Sequence, residues 1–401
     1  MCDLIGSALR AMSGDAGISR RDLLRATGTA VAASALGTAV ASCSATPSTA
    51  STTATASAPA ARTRLVLLGT TGGPTILDPA RAGTSTAVVH DGGVHLVDLG
   101  FSAHQRLVAA GLGGGGWGNG FGNLRSILFT HMHSDHVTEW PAIYSVASTN
   151  IAGRLHDRPI EVFGPGDRGS LPRVFPAGRT VGEPINPEDP TPGIVAMTGY
   201  LRRAWAGDFN DRLRNSSFRD PTAVFSVHDI DVSTVWAGID PEGIPPRLTE
   251  PIPVWTDGAV RITATLVDHH PTAPAFGFRF DTPDGSIVVS GDTCPSENLI
   301  DLARGADYLV HEVIDPLFVE ELVKQLPAEQ ADPLRTHLLE SHTTIDQVGP
   351  VAEAARVGTL VLSHLAPAHN PPERWLEAQK GFSGRLIVGA DLMQLPVGQD
   401  S

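Results

Sequence analysis

The sequence predicts a mixed α/β sandwich, and three observations carry that prediction. First, short apolar or β-branched runs recur at 65–68, 87–90, 95–97, 127–129, 160–163, 260–267, 276–280, 287–289, 308–310, 360–362 and 386–388. Each is bounded by Gly, Asp, Asn or Pro, as strands are. Second, helical spacing appears between the later runs: Ile345, Val348, Val351, Ala352 and Ala355 share one face. Thr344 and Gln347 are spaced for a capping box at the start of that helix, and Pro350 is expected to kink it. Third, strands dominate early and alternate with helices later, which favours layers over an all-β barrel. The folded domain is expected over 62–401. Within it, 147–255 holds many of the prolines and a weaker pattern, and reads as an inserted cap. The glycine-rich stretch 111–122 reads as a mobile loop. It lacks the Lys and the strand-then-helix context of a phosphate-binding loop.

Composition bounds the function. The chain has 401 residues, enough for one large or two modest domains, and 41% are hydrophobic. The balance of 29 Lys plus Arg against 43 Asp plus Glu gives a formal net charge of −14, and Lys occurs only at Lys324 and Lys380. No basic run is present to follow a phosphate backbone. The expectation from charge is therefore that nucleic acid is not a partner. Of the three cysteines, Cys2 and Cys43 fall in a leader, so Cys294 is left without a disulfide partner.

Residues 1–43 read as that leader. Ser19-Arg20-Arg21-Asp22-Leu23-Leu24 is a twin-arginine pattern, and a weakly apolar stretch follows over 26–41, too short for a confident membrane span. It closes on Val40-Ala41-Ser42-Cys43, which resembles a bacterial lipoprotein box whose Cys is acylated. The alternative is an ordinary leader cut after Ala41. Residues 44–61 are nearly all Ser, Thr, Ala and Pro, a flexible tether. Export by the twin-arginine route and a membrane anchor at Cys43 are expected.

The chemistry concentrates in His131-Met132-His133-Ser134-Asp135-His136, directly after the apolar run ending at Phe129. Three imidazoles and a carboxylate within six residues suit a metal of the zinc type. As the chain leaves a strand, His131 and His133 converge on one ion while Asp135 and His136 turn to a second.

This cluster resembles that of the metallo-β-lactamase superfamily, and further segments agree in order: Asp98-Leu99-Gly100, Asp268-His269-His270-Pro271, Gly291-Asp292-Thr293 and Ser363-His364-Leu365. The resemblance implies an αββα sandwich and two zinc-type ions. One would be held by His131, His133 and His269, the other by Asp135, His136 and His364, with Asp292 shared. Asp98 would orient ligands from behind. His269 is favoured over His270 because its distance to the turn at Gly277-Phe278 resembles the family's. Arg81-Ala82-Gly83-Thr84-Ser85, His311-Glu312 and Ser341-His342-Thr343-Thr344 resemble the ribonuclease Z and arylsulfatase-like branch. By that resemblance Glu312 and His342 cooperate as a proton donor, and Asp135 belongs to the catalytic centre.

The expected activity is metal-dependent hydrolysis of an anionic ester, a phosphodiester or an aryl sulfate. A metal ion activates water, but the leaving oxygen still needs a proton, and a His held by a carboxylate supplies one near neutral pH. Lactone or β-lactam hydrolysis on the same fold is the first alternative. A surface lipoprotein that binds a ligand without turnover is the second. Transfer-RNA processing fits poorly, because 151–250 holds 11 Arg, no Lys and 14 Asp plus Glu. Tyr200, Arg202, Arg203 and Trp205 are placed beside the cleft as substrate contacts, with packing on a cap helix as the other reading. Cys294 is expected to be a packed small residue, with an odd metal ligand as the other reading; His311 is expected behind the ligands or in the core, and His337 on a surface helix. No Gly-x-Ser-x-Gly elbow exists for a serine hydrolase.

Overall fold

The computed structural model describes residues 61–152, 154 and 158–398. The leader and most of the tether, including Arg20, Arg21 and Cys43, lie outside the described residues. The rest forms two seven-stranded sheets. The first contains β1 (Thr63–Gly69), β2 (Ser85–His90), β3 (Gly93–Val97), β4 (Leu124–Leu128), β5 (Ile160–Pro165) and β6 (Phe225–Ile230) in sequence order. The second contains β7 (Ile252–Asp257), β8 (Val260–Leu266), β9 (Phe276–Thr282), β10 (Gly285–Val289), β11 (Tyr308–Ile314), β12 (Thr359–Ala366) and β13 (Arg385–Val388), again in order. The last strand, β14 (Met393–Val397), returns to the first sheet beside β1. Each sheet runs through three antiparallel pairs and then three parallel ones.

Alternation along the strands makes the layers. In β1, Leu65 and Leu67 enter the cluster between the sheets, with Phe276, Phe278, Phe280, Ile287 and Val310 from the second sheet. Val66 and Leu68 point the other way, under α1 (Ala103–Ala109) and α3 (Trp140–Val146), where Leu107, Trp140 and Tyr144 are buried. On the outer face of the second sheet, Val288, Leu309 and Leu360 pack on α6 (Glu297–Leu302) and α9 (Ile345–Ala355). A period of two in the strands therefore yields helix, sheet, sheet, helix. Burying each of these large side chains contributes about 1.5–3 kcal/mol.

The predicted face of α9 is observed: Ile345, Val348, Val351, Ala352 and Ala355 are all buried, and the Gln347 side chain accepts from the Thr344 N–H at 3.0 Å. Pro350 lies inside the helix. The remaining helices are α2 (Ser134–Val137), α4 (Ile194–Ala204), α5 (Ala206–Asn215), α7 (Pro316–Val323), α8 (Ala328–Glu340) and α10 (Pro372–Trp375).

The inserted segment is narrower than 147–255. Its ends supply β5, β6 and β7 to the sheets, and only the middle, with α4 and α5, stands outside them. The weak pattern has a physical reason. β6 and β7 are sheet edges, and β6 carries Ser226, His228 and Asp229 where an inner strand would be apolar. β7 includes Pro253. Edge strands take such residues because one side of their backbone faces water.

Candidate metal centre and its relatives

The candidate residues converge at the carboxyl ends of strands, where open α/β sheets build their sites. β3 ends at Val97 and β4 at Leu128, and the two are parallel neighbours. The next residues therefore meet: Asp98 accepts from the Thr130 N–H at 2.8 Å and from the Thr130 hydroxyl at 2.8 Å. The Asp98 carboxylate also lies 2.8 Å from His136 Nδ1. That contact fixes the ring so that Nε2 faces the centre, the orienting role expected of Asp98.

In the second sheet the devices differ. After β10, Gly291 has φ +64, and a Cβ there would meet the Phe276 carbonyl oxygen at 2.6 Å. Only glycine makes this turn cheaply, and it delivers Asp292. Along β11 and β12, Glu312 pairs with Ser363 and Val313 with Leu365. His364 is thus the extra residue of a bulge, with φ 44, and the bulge re-aims its ring. A Cβ on Gly72 would meet His364 Nδ1 at 2.5 Å, so the 72–73 loop closes directly over that ring. Gly73 N–H donates to Asp135 at 3.0 Å. Asp98, also at positive φ (59), and His364 hold sparsely populated backbone at the site.

Two donor groups result. His131, His133 and His269 form one; Asp135, His136, Asp292 and His364 form the other, and within each the donor atoms lie within 4.8 Å of one another. Asp292 Oδ2 stands between them, 4.0 Å from His131 Nε2, 3.3 Å from His136 Nε2 and 3.3 Å from His364 Nε2. All the proposed donors except His133 are buried. The structure also separates the adjacent pair. His269 Nδ1–H donates to the Ser341 carbonyl at 2.8 Å, and its Nε2 lies 3.2 Å from His133 Nδ1. His270 turns away to Asp268, at 2.8 Å.

Electrostatics favour a cation here. Burial pushes His131 and His269 well below the ordinary imidazole value, and neighbouring imidazoles add to it. His136 goes the other way: burial opposes the charge, but Asp292, Asp98 and Asp135 overcome it. Asp135 and Asp292 lie well below the usual carboxylate range because the surrounding histidines outweigh burial. His131 Nε2, His136 Nε2 and Asp292 Oδ1 are buried with no hydrogen-bond partner. Each such orphan costs about 1–3 kcal/mol unless something else satisfies it. Three buried lone-pair atoms without donors fit divalent metal.

Glu312 and His342 lie beside this group. His342 Nδ1 is 2.9 Å from Glu312 Oε1, which also accepts from the Thr293 N–H at 2.9 Å. Burial lowers the His342 value, but the Glu312 and Asp292 carboxylates overcome this and hold it up at about 9. His342 Nδ1 is also 3.9 Å from Asp292.

His337 lies half-buried on α8, a helix whose buried residue is Ala331. Its ring nevertheless reaches the centre: the centroid is 5.8 Å from that of His269 and 5.9 Å from that of His342, and burial pushes its pKa down to about 3. The residues read as cleft contacts meet partners of their own. Arg202 pairs with Asp220, the Arg203 guanidinium covers the Tyr200 ring at 4.8 Å, and the Tyr200 hydroxyl donates to Asp189. These side chains are engaged on their own segment. His311 is fully buried, as expected.

No family model matches the chain. Curated relatives do. A protein named ribonuclease Z from Mycobacterium bovis is 31% identical over 337 residues, covering 83% of this chain and 98% of the relative. Its namesake from Mycobacterium avium is 32% identical over 340 residues, covering 84% and 99%. The chain belongs to the ribonuclease Z family. Among solved structures, the metallo-beta-lactamase fold protein YhfI from Bacillus subtilis aligns with a TM-score of 0.50 at 16% identity, covering 83% of this chain and 98% of that one. Zn(2+)-bound PqqB from Methylobacterium extorquens aligns at 0.52 and 14%, covering 83% and 100%. These two show the fold, that of metallo-β-lactamases. This ribonuclease Z family member is a metal-dependent hydrolase.

Membership corrects one expectation. A small-molecule ester with nucleic acid excluded is overturned by relatives named for ribonuclease action. The charge argument failed because it summed over the whole chain. What a phosphodiester meets is the local field, and dications in the donor groups would dominate that field.

Proposed function

We propose that this protein is a two-metal phosphodiesterase that cleaves RNA. The observation that carries the reading is the pair of adjoining buried donor groups with Asp292 between them. In this reading His131, His133 and His269 would hold one zinc-type ion and Asp135, His136 and His364 the other, with Asp292 available to both. Bound there, two such ions supply Lewis acidity at phosphorus and a water of lowered pKa. The chain's own residues do the rest. Asp98 and the Ser341 carbonyl fix the His136 and His269 rings, so no reorganisation is needed during reaction. Glu312 holds His342 by Nδ1, which leaves Nε2 as the nitrogen that delivers a proton to the departing ribose oxygen. The Glu312 charge keeps that proton in place until the oxygen becomes basic enough to take it.

We further propose that the leader exports the protein by the twin-arginine route and that Cys43 anchors it, so that the RNA is met outside the cytoplasm. The test uses purified, metal-loaded protein. Single-stranded RNA and a bis-aryl phosphate are compared with an aryl sulfate, a lactone and a chromogenic cephalosporin. The expected result is the highest specificity constant on the phosphodiesters. A tenfold preference for any other substrate, about 1.4 kcal/mol at the transition state, overturns the reading.

A further inference from the structure

The two backbone segments that deliver His269 and Asp292 carry a second set of donors on their other side. Asp268 and His270 flank His269, and Cys294 lies two residues after Asp292. Asp268, His270 and Cys294 form a separate group whose donor atoms all lie within 4.8 Å of one another. None of the three belongs to the groups described above. All three are half-buried, whereas His269 and Asp292 are buried. Neighbouring residues thus diverge, one set into the centre and the other toward solvent.

The segments are fixed relative to each other. Cys294 N–H donates to the Asp268 carbonyl at 2.9 Å, and the Thr293 hydroxyl donates to the same oxygen at 3.3 Å. His270 is held at its backbone by the Ser341 hydroxyl, which donates to its carbonyl. The three side chains also meet one another: Asp268 Oδ1 lies 2.8 Å from His270 Nδ1 and accepts from the His270 N–H at 3.3 Å, and the Cys294 thiol hydrogen-bonds the Asp268 carboxylate. Arg173, whose charge acts on His270, is paired with Glu242 at 2.5 Å.

We propose that Asp268, His270 and Cys294 form a third divalent-metal site of the zinc type. A thiolate, an imidazole and a carboxylate are the ligand chemistry that zinc selects, and partial exposure leaves a position for water. Binding would displace the Cys294 thiol proton to solvent and move the proton between Asp268 and His270 Nδ1 to solvent or to the other ring nitrogen, so that two metal bonds replace that hydrogen bond. An ion there clamps 268–270 to 292–294, the segments that position His269 and Asp292.

Cobalt distinguishes this site from the centre, because the centre has no sulfur donor. Full-length protein with C2S and C43S is stripped of metal and titrated with Co2+, reading bound equivalents and near-ultraviolet absorbance. The expected result is three equivalents, one of which brings a sulfur-to-cobalt charge-transfer band. C294S and H270A should each bind two equivalents, and C294S should show no band. Saturation at two equivalents without the band overturns the third site and leaves the two-metal reading standing. Saturation at one or none overturns both. A band or a third equivalent persisting in C294S refutes the assignment to Cys294.

Discussion

At the scale of single residues, Asp292 and His342 stand 3.9 Å apart but should fail differently when altered. Asp292 is proposed to link two ions, and D292A should lose metal and activity together. His342 is proposed to deliver a proton, and H342A should keep both ions of the centre while kcat falls by about 10²–10⁴. Elemental analysis beside steady-state kinetics checks both, and metal loss in H342A would contradict the division of roles. The adjacent histidines offer a sharper contrast. His269 faces His133 while His270 faces Asp268. H269A should therefore empty one position of the centre, and H270A should leave both ions of the centre bound. Most of this centre was legible in the chain because its donors come in short, ordered motifs. What those motifs do not carry is the supporting geometry. The Gly72–His364 approach and the hydrogen bond between Thr272 and His133 Nε2 at 2.9 Å join residues far apart in sequence. The approach of His337 to His269 was hidden for the same reason: a helix position says which turn it occupies, not which neighbour that turn faces.

At the scale of elements, inner strands declared themselves, and of the four sheet edges only β13 did. β1 and β11 are buried along nearly their whole length, so composition alone marks them. β6, β7 and β14 alternate with exposed or half-exposed positions and include Pro253 and Pro396, which blurs any periodic signal. The inner strands should therefore be the sensitive ones. Phe278 on β9 is fully buried between the sheets, and F278A should cost about 3–5 kcal/mol in denaturant unfolding. β3 supplies a pH-dependent case. His95 is buried beside Trp255 and Phe280, and that burial, with Arg125 and His90 adding, pushes its pKa down to about 3. The unfolded chain takes up this proton near pH 6.5 and the folded chain does not. The contribution is thus complete above pH 6.5 and is lost progressively as pH falls toward 3. Melting temperatures of the parent and H95L between pH 7 and 4 test this. The parent should lose stability faster on acidification, and parallel curves would refute it.

At the scale of the whole molecule, both proposed ions of the centre draw on both sheets. His131, His133, Asp135 and His136 follow β4 in the first, while His269, Asp292 and His364 come from the second. Removing divalent metal should lower the melting temperature, and zinc should restore it. At free metal 1,000 times Kd the gain is about 4.1 kcal/mol per ion, and calorimetry with and without chelator measures it. The repeated order of three antiparallel and three parallel pairs has its own meaning. The molecule is two similar halves meeting along a seam, with β14 reaching back across it to grip β1. Severed between Ile230 and Ile252, each fragment would keep nearly a full sheet and an incomplete ligand set. Two such fragments made separately would be a zinc-gated heterodimer. By reciprocity, the metal that tightens their association would itself be bound more tightly by the reassembled pair than by either piece.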